Sequence, residues 1–295
     1  MRCLAVLGAL WFLAASTSAW AQIEVSAQTS RSNFLLYERM DLLVTIQNIG
    51  GNDLVLDNAE GHPWLSFLVS TRDEHNQFPV RPERTSMFAA LTLKSGETKT
   101  LRVNLTPLFA FREEGGYEAE AVVDLPGEGQ IISQKVPFSV MKGRKVWSQI
   151  RPVDSSERIY SLIRFSPDAD STNLYLRVEN PSENIVYTNL ALGTLAADVD
   201  PAVNFDPQGN VHVLQSIAMS SYLYTRADPD GKILDQTLFK TYHEIPPRLN
   251  KLEDGNVTVV GGMAEDPTMP LERLSDPQGA RRALPVTLPV STGTP

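Results

Sequence analysis

Cysteine is almost missing from this chain of 295 residues: there is one, Cys3. A disulfide framework is therefore excluded, and any fold must rest on its own apolar core. Basic runs are also missing. None exceeds Arg281-Arg282, and 26 Lys and Arg face 35 Asp and Glu for a net charge of −9. That balance argues against nucleic acid and against anionic membrane surfaces as partners. Past the N-terminus no apolar run reaches the roughly 18–20 residues that a membrane helix needs. Histidine is sparse, at His62, His75, His212 and His243, with no metal-ligand spacing among them. There is no Gly-x-Ser-x-Gly, no Walker loop, no His-Glu-x-x-His and no Cys-x-x-Cys, and His243-Glu244 runs into Pro246-Pro247, which breaks a zinc-protease helix. These absences lead to the expectation of a chain that is no enzyme and takes no cofactor and no metal. The acidic loops Asp168–Thr172 and Asp228–Gly231 are read as plain turns rather than calcium sites.

What is present begins with an address. Arg2 precedes an apolar stretch from Cys3 to Ala15, and Ala19-Trp20-Ala21 has small residues in the cleavage positions. Residues 1–21 are expected to be a secretory signal peptide, which implies a secreted or periplasmic protein.

Residues 22–142 alternate apolar and polar side chains with a period of two. Leu42, Val44 and Ile46 share one face, Leu65, Phe67 and Val69 another, and so do Leu101, Val103 and Leu105, then Tyr117, Ala119, Ala121 and Val123, then Phe138 and Val140. Asn48–Asp53, Lys94–Glu97, Glu113–Gly116 and Leu125–Gly129 supply turn chemistry between them. About seven or eight short strands of this kind predict a β-sandwich. Tyr37–Asn48, Leu91–Leu101 and Gly116-Tyr117 resemble a bacterial extracellular immunoglobulin-like module. The layout is similar to that of the BsuPI proteinase-inhibitor family and of bacterial adhesion repeats. The resemblance implies that Tyr117 forms a tyrosine corner.

Residues 143–264 repeat themselves. Leu174–Val186 lines up with Tyr222–Leu234 at an offset of 48, and Gln208–Leu214 with Asp254–Val260 at an offset of 46. These phrases resemble the blades of β-propellers, so the second domain is expected to be all-β, built of blade-like hairpin repeats. It holds about two and a half units, whereas a closed ring takes at least about four blades. Spare sheet edges then invite association, including a homodimer. Residues 265–295, rich in proline, are expected to be a disordered tail.

Function follows only in outline. An all-β chain with an immunoglobulin-like sandwich and a blade-like domain is expected to be a binding or structural module recognising a protein or glycan of the cell envelope. Partner contact is expected from His75, Phe78 and Phe88 in the long Ser70–Leu91 link, and from Tyr175, Tyr222 and Tyr224 among the hairpin tyrosines. The alternative is a protease inhibitor acting through a loop of the first domain.

Overall fold

Strands form where the alternation and the β-branched runs place them. In the computed structural model, 64% of the described residues are in strands and none is in a helix. The structure describes residues 23–265 apart from 59–61, 73–78, 81, 83–87, 110, 126–128, 154–155 and 197–198. Residues 1–21, expected to be a signal peptide, and all of the expected tail except Glu265 therefore lie outside the described residues. No described helix is long and apolar enough to cross a membrane.

The first eleven strands are β1 (Ile23–Thr29), β2 (Asn33–Leu35), β3 (Asp41–Asn48), β4 (Leu54–Leu56), β5 (Leu65–Arg72), β6 (Pro79–Val80), β7 (Leu91–Leu93), β8 (Thr98–Asn104), β9 (Gly115–Leu125), β10 (Gly129–Ile132) and β11 (Val136–Met141). They make a three-stranded sheet, β1-β3-β8, and a larger one, β2-β11-β9-β5-β6, with β10 added to β9 and a small β4-β7 pair alongside. All pairings are antiparallel except β2 with β11. The inward faces of both sheets fill one core: Val44 and Ile46 from one side, Phe67, Ala119, Ala121 and Phe138 from the other. Burying a Val, Ile or Phe in this way contributes about 1.5–3 kcal/mol each. At one end of this core Tyr117 stacks on Phe138 at 5.7 Å and meets Phe111 edge-on at 5.2 Å. Its hydroxyl donates to the Glu113 carbonyl at 2.9 Å. The apolar ring is thus buried while its polar tip stays satisfied.

The remaining strands are β12 (Arg144–Val153), β13 (Ser156–Phe165), β14 (Asn173–Asn180), β15 (Ile185–Thr194), β16 (Ala202–Phe205), β17 (Val211–Ala218), β18 (Ser221–Ala227), β19 (Ile233–Lys240), β20 (Arg248–Lys251), β21 (Val257–Val260) and β22 (Met263–Ala264). They run as antiparallel meanders: β12-β13-β14-β15, then β16-β17-β18-β19 with β22 on its edge, then the pair β20-β21. None of the sheets closes on itself. Each repeated Gly-Asn-Val phrase starts a strand from the same turn. Gly209 and Gly255 both sit at positive φ, 83° and 85°, and their N–H groups donate back to the Asp206 and Leu252 carbonyls. Only glycine takes that conformation without strain.

A second core lies between the two four-strand meanders. It joins Tyr160, Leu162 and Leu176 to Phe205, Val211 and Val213. The Tyr160 hydroxyl and Arg158 Nη1 both donate to the Pro229 carbonyl at 2.9 Å, which ties β13 to the β18–β19 turn. A small third cluster, Leu35, Ile163, Phe165 and Tyr175, bridges the first set of sheets to the second.

Candidate functional site

The junction of the two parts is built around four residues, Leu35 to Glu38. β2 ends at Leu35 and the chain turns back. Glu38 N–H donates to the Leu35 carbonyl at 2.9 Å, and Leu35 N–H donates to Glu38 Oε2 at 2.9 Å. The turn puts Tyr37 at φ 67°. A left-handed conformation in a residue with a bulky side chain costs about 1–2 kcal/mol, so the surroundings must hold it. They do so from both sides. Within the first unit, Leu36 N–H donates to Met141 O at 2.7 Å, and Thr106 Oγ1 bridges Glu38 O and Met40 N at 2.8 and 3.0 Å. From β14 and β15, Arg177 Nη2 and Asn189 Nδ2 both donate to the Leu36 carbonyl, at 2.6 and 3.3 Å. The Arg177 guanidinium lies 5.1 Å from the Tyr37 ring centroid.

Glu38 is the electrostatic centre of this junction. It is 8% exposed. Its Oε1 accepts the Tyr175 hydroxyl at 2.7 Å and pairs with the Arg31 guanidinium, which stands 4.8 Å over the Phe34 ring. Burial and the neighbouring Glu38 charge raise the Tyr175 phenol well above its ordinary range, so it stays a neutral donor. Burial pulls Arg31 down, but the Glu38 carboxylate outweighs it and the net direction is up. Burial lowers Arg177, and the nearby Glu179 charge only partly offsets it.

Beside this turn opens a cleft of about 210 Å³. The first unit contributes Tyr37, Met40, Thr106, Phe109, Phe111 and Arg112, and the β14–β15 hairpin contributes Asn184 and Val186. Asn184 also has positive φ, 55°, a conformation that a short polar side chain tolerates. Its lining mixes apolar side chains with polar ones. Clefts between units are frequent ligand sites, and this one is below the roughly 300–1,000 Å³ of pockets for drug-sized molecules. It has room for one side chain or one sugar ring.

The residues singled out from the sequence lie elsewhere or point inward. His75 and Phe78 are outside the described residues. Phe88 is half-buried, packed edge-on to Trp64 and Phe67 at 6.2 Å. Tyr222 is half-buried in β18, opposite Phe239. Tyr175 and Tyr224, expected on a surface platform, are buried at 1% and 8% exposure. The reason is that β14 and β18 are interior strands covered on both faces, where alternation no longer marks one side as solvent. Tyr187 lies under the Arg158 guanidinium at 4.3 Å, and Tyr242 is exposed in a separate turn. No tyrosine platform forms.

A second polar network is buried inside the second unit. His212 is 2% exposed, with Nε2 at 3.1 Å from Asp206 Oδ2 and Nδ1 at 2.8 Å from the Tyr224 hydroxyl. Nε2 thus faces the carboxylate and Nδ1 the phenol, and which of them carries a proton depends on the tautomer. Asn210 adds its backbone N–H and its side-chain amide to Asp206, both at 2.8 Å. Burial pushes the Asp206 carboxyl up, but the hydrogen bonds from Asn210 and His212 outweigh it and the net direction is down. A carboxylate depressed on folding adds stability above its unfolded pKa, and that stability is lost as pH falls through the folded value. The urea midpoint of the wild type is therefore expected to fall as pH drops below about 4. An Asp206→Asn variant should start lower at neutral pH and lose less over the same range. Equal pH slopes for the two proteins would rule this out.

Among the described residues no group of three or more His, Cys, Asp or Glu stands close enough to hold a metal ion. The acidic loops serve their own turns. Asp168 Oδ1 accepts from Asp170 N, Ser171 N and Ser171 Oγ, and Asp228 Oδ1 accepts from Asp230 N and Lys232 N. The junction residues Arg31, Tyr37, Glu38 and Arg177 were not singled out from the sequence. One signal was available: Arg177 is a lone charge in the apolar run Leu174–Val178, and a charge in an interior strand requires partners.

No family model matches the chain, and no curated protein matches it. Parts of solved structures do, in 25 chains. The Pseudomonas fluorescens alkylpurine DNA glycosylase AlkC, bound to DNA with an abasic-site analogue, is 11% identical over 42% of this chain and 31% of its own, with a TM-score of 0.28. A β-glucosidase from Listeria innocua is 18% identical over 41% of this chain and 16% of its own, with a TM-score of 0.27. The sporulation control protein Spo0M from Bacillus subtilis is 10% identical over 56% of this chain and 82% of its own, with a TM-score of 0.28. The chain thus spans less than a third of the glycosylase and about a sixth of the glucosidase. The expectation that the chain is no enzyme is corrected here, because two of the partly similar chains belong to enzymes. Short local motifs do not report catalytic groups that distant strands bring together. Likenesses at this level establish no activity for this chain, and none shows a family.

Proposed function

We propose that this protein is an exported module of the cell envelope or extracellular space. It recognises a protein or glycan partner, and it does so at the cleft beside Tyr37. In this reading residues 1–21 are removed, residues 22–142 form an immunoglobulin-like sandwich, and residues 143–264 form blade-like repeats. Two sheets around one core and the Tyr117 hydroxyl bonded to Glu113 support the first unit. Two successive four-stranded antiparallel meanders support the second.

The observation that carries the reading is Tyr37. A strained residue lines a cleft of mixed apolar and polar side chains, and Arg177 and Asn189 of the other unit hold the Leu36 carbonyl beside it. Strain of this kind concentrates at ligand sites, and an aromatic face beside amide and hydroxyl groups suits a sugar ring or a peptide side chain. The test is affinity capture from native envelope extract with the chain starting at residue 22, beside Tyr37→Ala and Val186→Asp variants. A partner held by the wild type and lost from both variants is the expected result. Equal capture by all three would dismiss the cleft as the site.

A further inference from the structure

The internal repeat allows one strand to be compared with its own near-copy. Gly209-Asn-Val-His-Val-Leu214 gives β17, and Gly255-Asn-Val-Thr-Val-Val260 gives β21. Val211 to Leu214 are all buried, at 0–5% exposure. None of their counterparts is: Val257, Thr258 and Val259 are half-exposed and Val260 is 43% exposed. The sequences do not account for the difference, but the neighbours do. β17 lies between β16 and β18, whereas β21 has β20 on one side and, among the described residues, no strand on the other.

The turn fixes which backbone groups face the open side. Leu252 N–H donates to Asn256 O at 2.8 Å, and Lys251 is opposite Val257, Asn250 opposite Thr258 and Leu249 opposite Val259. Bonded pairs alternate along an antiparallel ladder. The groups of Thr258 and Val260 therefore turn toward β20, and those of Val257 and Val259 turn outward. Their equivalents in β17, Val211 and Val213, face β18 opposite Ala227 and Thr225. β21 thus presents a short, β-branched edge with two outward N–H and two outward C=O groups, a template for one more strand.

We infer that β21 pairs antiparallel with β21 of a second copy, about a two-fold axis through Thr258. Three observations select this occupant. The first is strand number: both complete sheets of the second unit carry a four-strand meander, and two copies of the β20-β21 pair make one sheet of four. The second is self-complementarity. An axis at Thr258 sets Val257 of each copy opposite Val259 of the other, so every outward donor meets an outward acceptor, and Thr258 meets its own counterpart. Threonines already pair in this way across β3 and β8, where the Thr45 and Thr100 hydroxyls are 3.0 Å apart. The third is area. A four-residue strand pair falls short of the roughly 800 Å² per partner that a stable interface buries, and exposed apolar residues flank this one. Leu252 is 44% exposed just before the hairpin turn, and Ile245, 51% exposed, lies against Gly261 at the end of β21. An isologous contact of this form closes as a dimer and leaves no further edge of the same kind. It does not depend on the cleft beside Tyr37.

The test is sedimentation equilibrium of the chain from residue 22 to 295, from micromolar to near-millimolar concentration. A monomer–dimer equilibrium is expected. Val259→Pro removes an outward N–H and spares the ladder to β20, and should weaken the dimer roughly tenfold or more, since two hydrogen bonds are lost per dimer. Thr258→Cys should give a disulfide-linked dimer on mild oxidation, because the non-bonded pair brings the two Cα atoms to about 4.5 Å, within disulfide reach. Lys251→Cys, on β20, should not link. The chain offers no other thiol once Cys3 is absent. A wild type that stays monomeric throughout overturns the inference. So does a dimer indifferent to Val259→Pro, a Thr258→Cys chain that fails to link, or dimerisation that appears only after residues 266–295 are deleted, which would assign the edge to the chain's own tail.

Discussion

Replacing Glu38 by alanine is expected to lower stability by about 3–5 kcal/mol, the range for removing one partner of a buried ion pair. The carboxylate serves three donors at once: the Arg31 guanidinium, the Tyr175 hydroxyl and the Leu35 N–H. Alanine leaves all three behind. The Arg31 side chain is 29% exposed and finds some water, which places the expected cost at the lower end. Tyr175 and Leu35 are 1% and 0% exposed and find none. Tyr175→Phe removes only one hydrogen bond to a charged group and should cost about 1.5–3 kcal/mol. The two changes share a partner, so the double variant should cost less than the sum of the singles. Urea midpoints for the four proteins measure this. A Glu38→Ala variant within about 1 kcal/mol of wild type would show that the junction is held by packing alone, since surface pairs are worth no more than that.

Gly143→Ala is expected to cost about 2–5 kcal/mol, from two separable causes. Gly143 joins β11 to β12 at φ 69°, so any Cβ carries the left-handed penalty of about 1–2 kcal/mol. That Cβ would also stand 2.7 Å from Ile163 Cγ2, 2.9 Å from Leu35 Cδ1 and 3.0 Å from Arg164 O. Leu35 belongs to the first unit and Ile163 to the second, so the methyl group would press the two apart. Gly96 provides the comparison. It has φ 77° with nothing within 4 Å of a built Cβ, so Gly96→Ala should show the backbone cost alone. If the two alanine variants lose equal stability, the contact between units at Gly143 is not tight.

The all-β character was legible because alternation is a local property. Leu42, Val44 and Ile46 announce a half-buried strand whatever lies above them, and β3 forms there. Turn chemistry was legible for the same reason, as at Gly209 and Gly255. The junction was not legible. Glu38 and Tyr175 are 137 residues apart, and nothing near either one says that they meet. Tyr175 and Tyr224 misled because a tyrosine in an interior strand has the same sequence signature as one on an exposed face. What separates them is the sheet packed above, which no period-two pattern records. The cleft shares this difficulty: its walls come from the Leu35–Glu38 turn, the residues after β8 and the β14–β15 hairpin.

The clamp on Leu36 also sets an order of events. Arg177 is 141 residues downstream of the carbonyl it holds. Synthesis runs from the N-terminus, and a domain made first generally folds first. The first eleven strands, to Met141, are thus complete before β14 and β15 exist, and during that interval the Leu35–Glu38 turn has neither Arg177 nor Asn189 to brace it. Tyr37 is then free to relax to an unstrained conformation, and the cleft has no second wall. The cleft is completed last, when the hairpin around Asn184 docks. A nascent or truncated chain would carry the first unit folded with the cleft still one-walled, a built-in delay between folding of that unit and completion of the cleft.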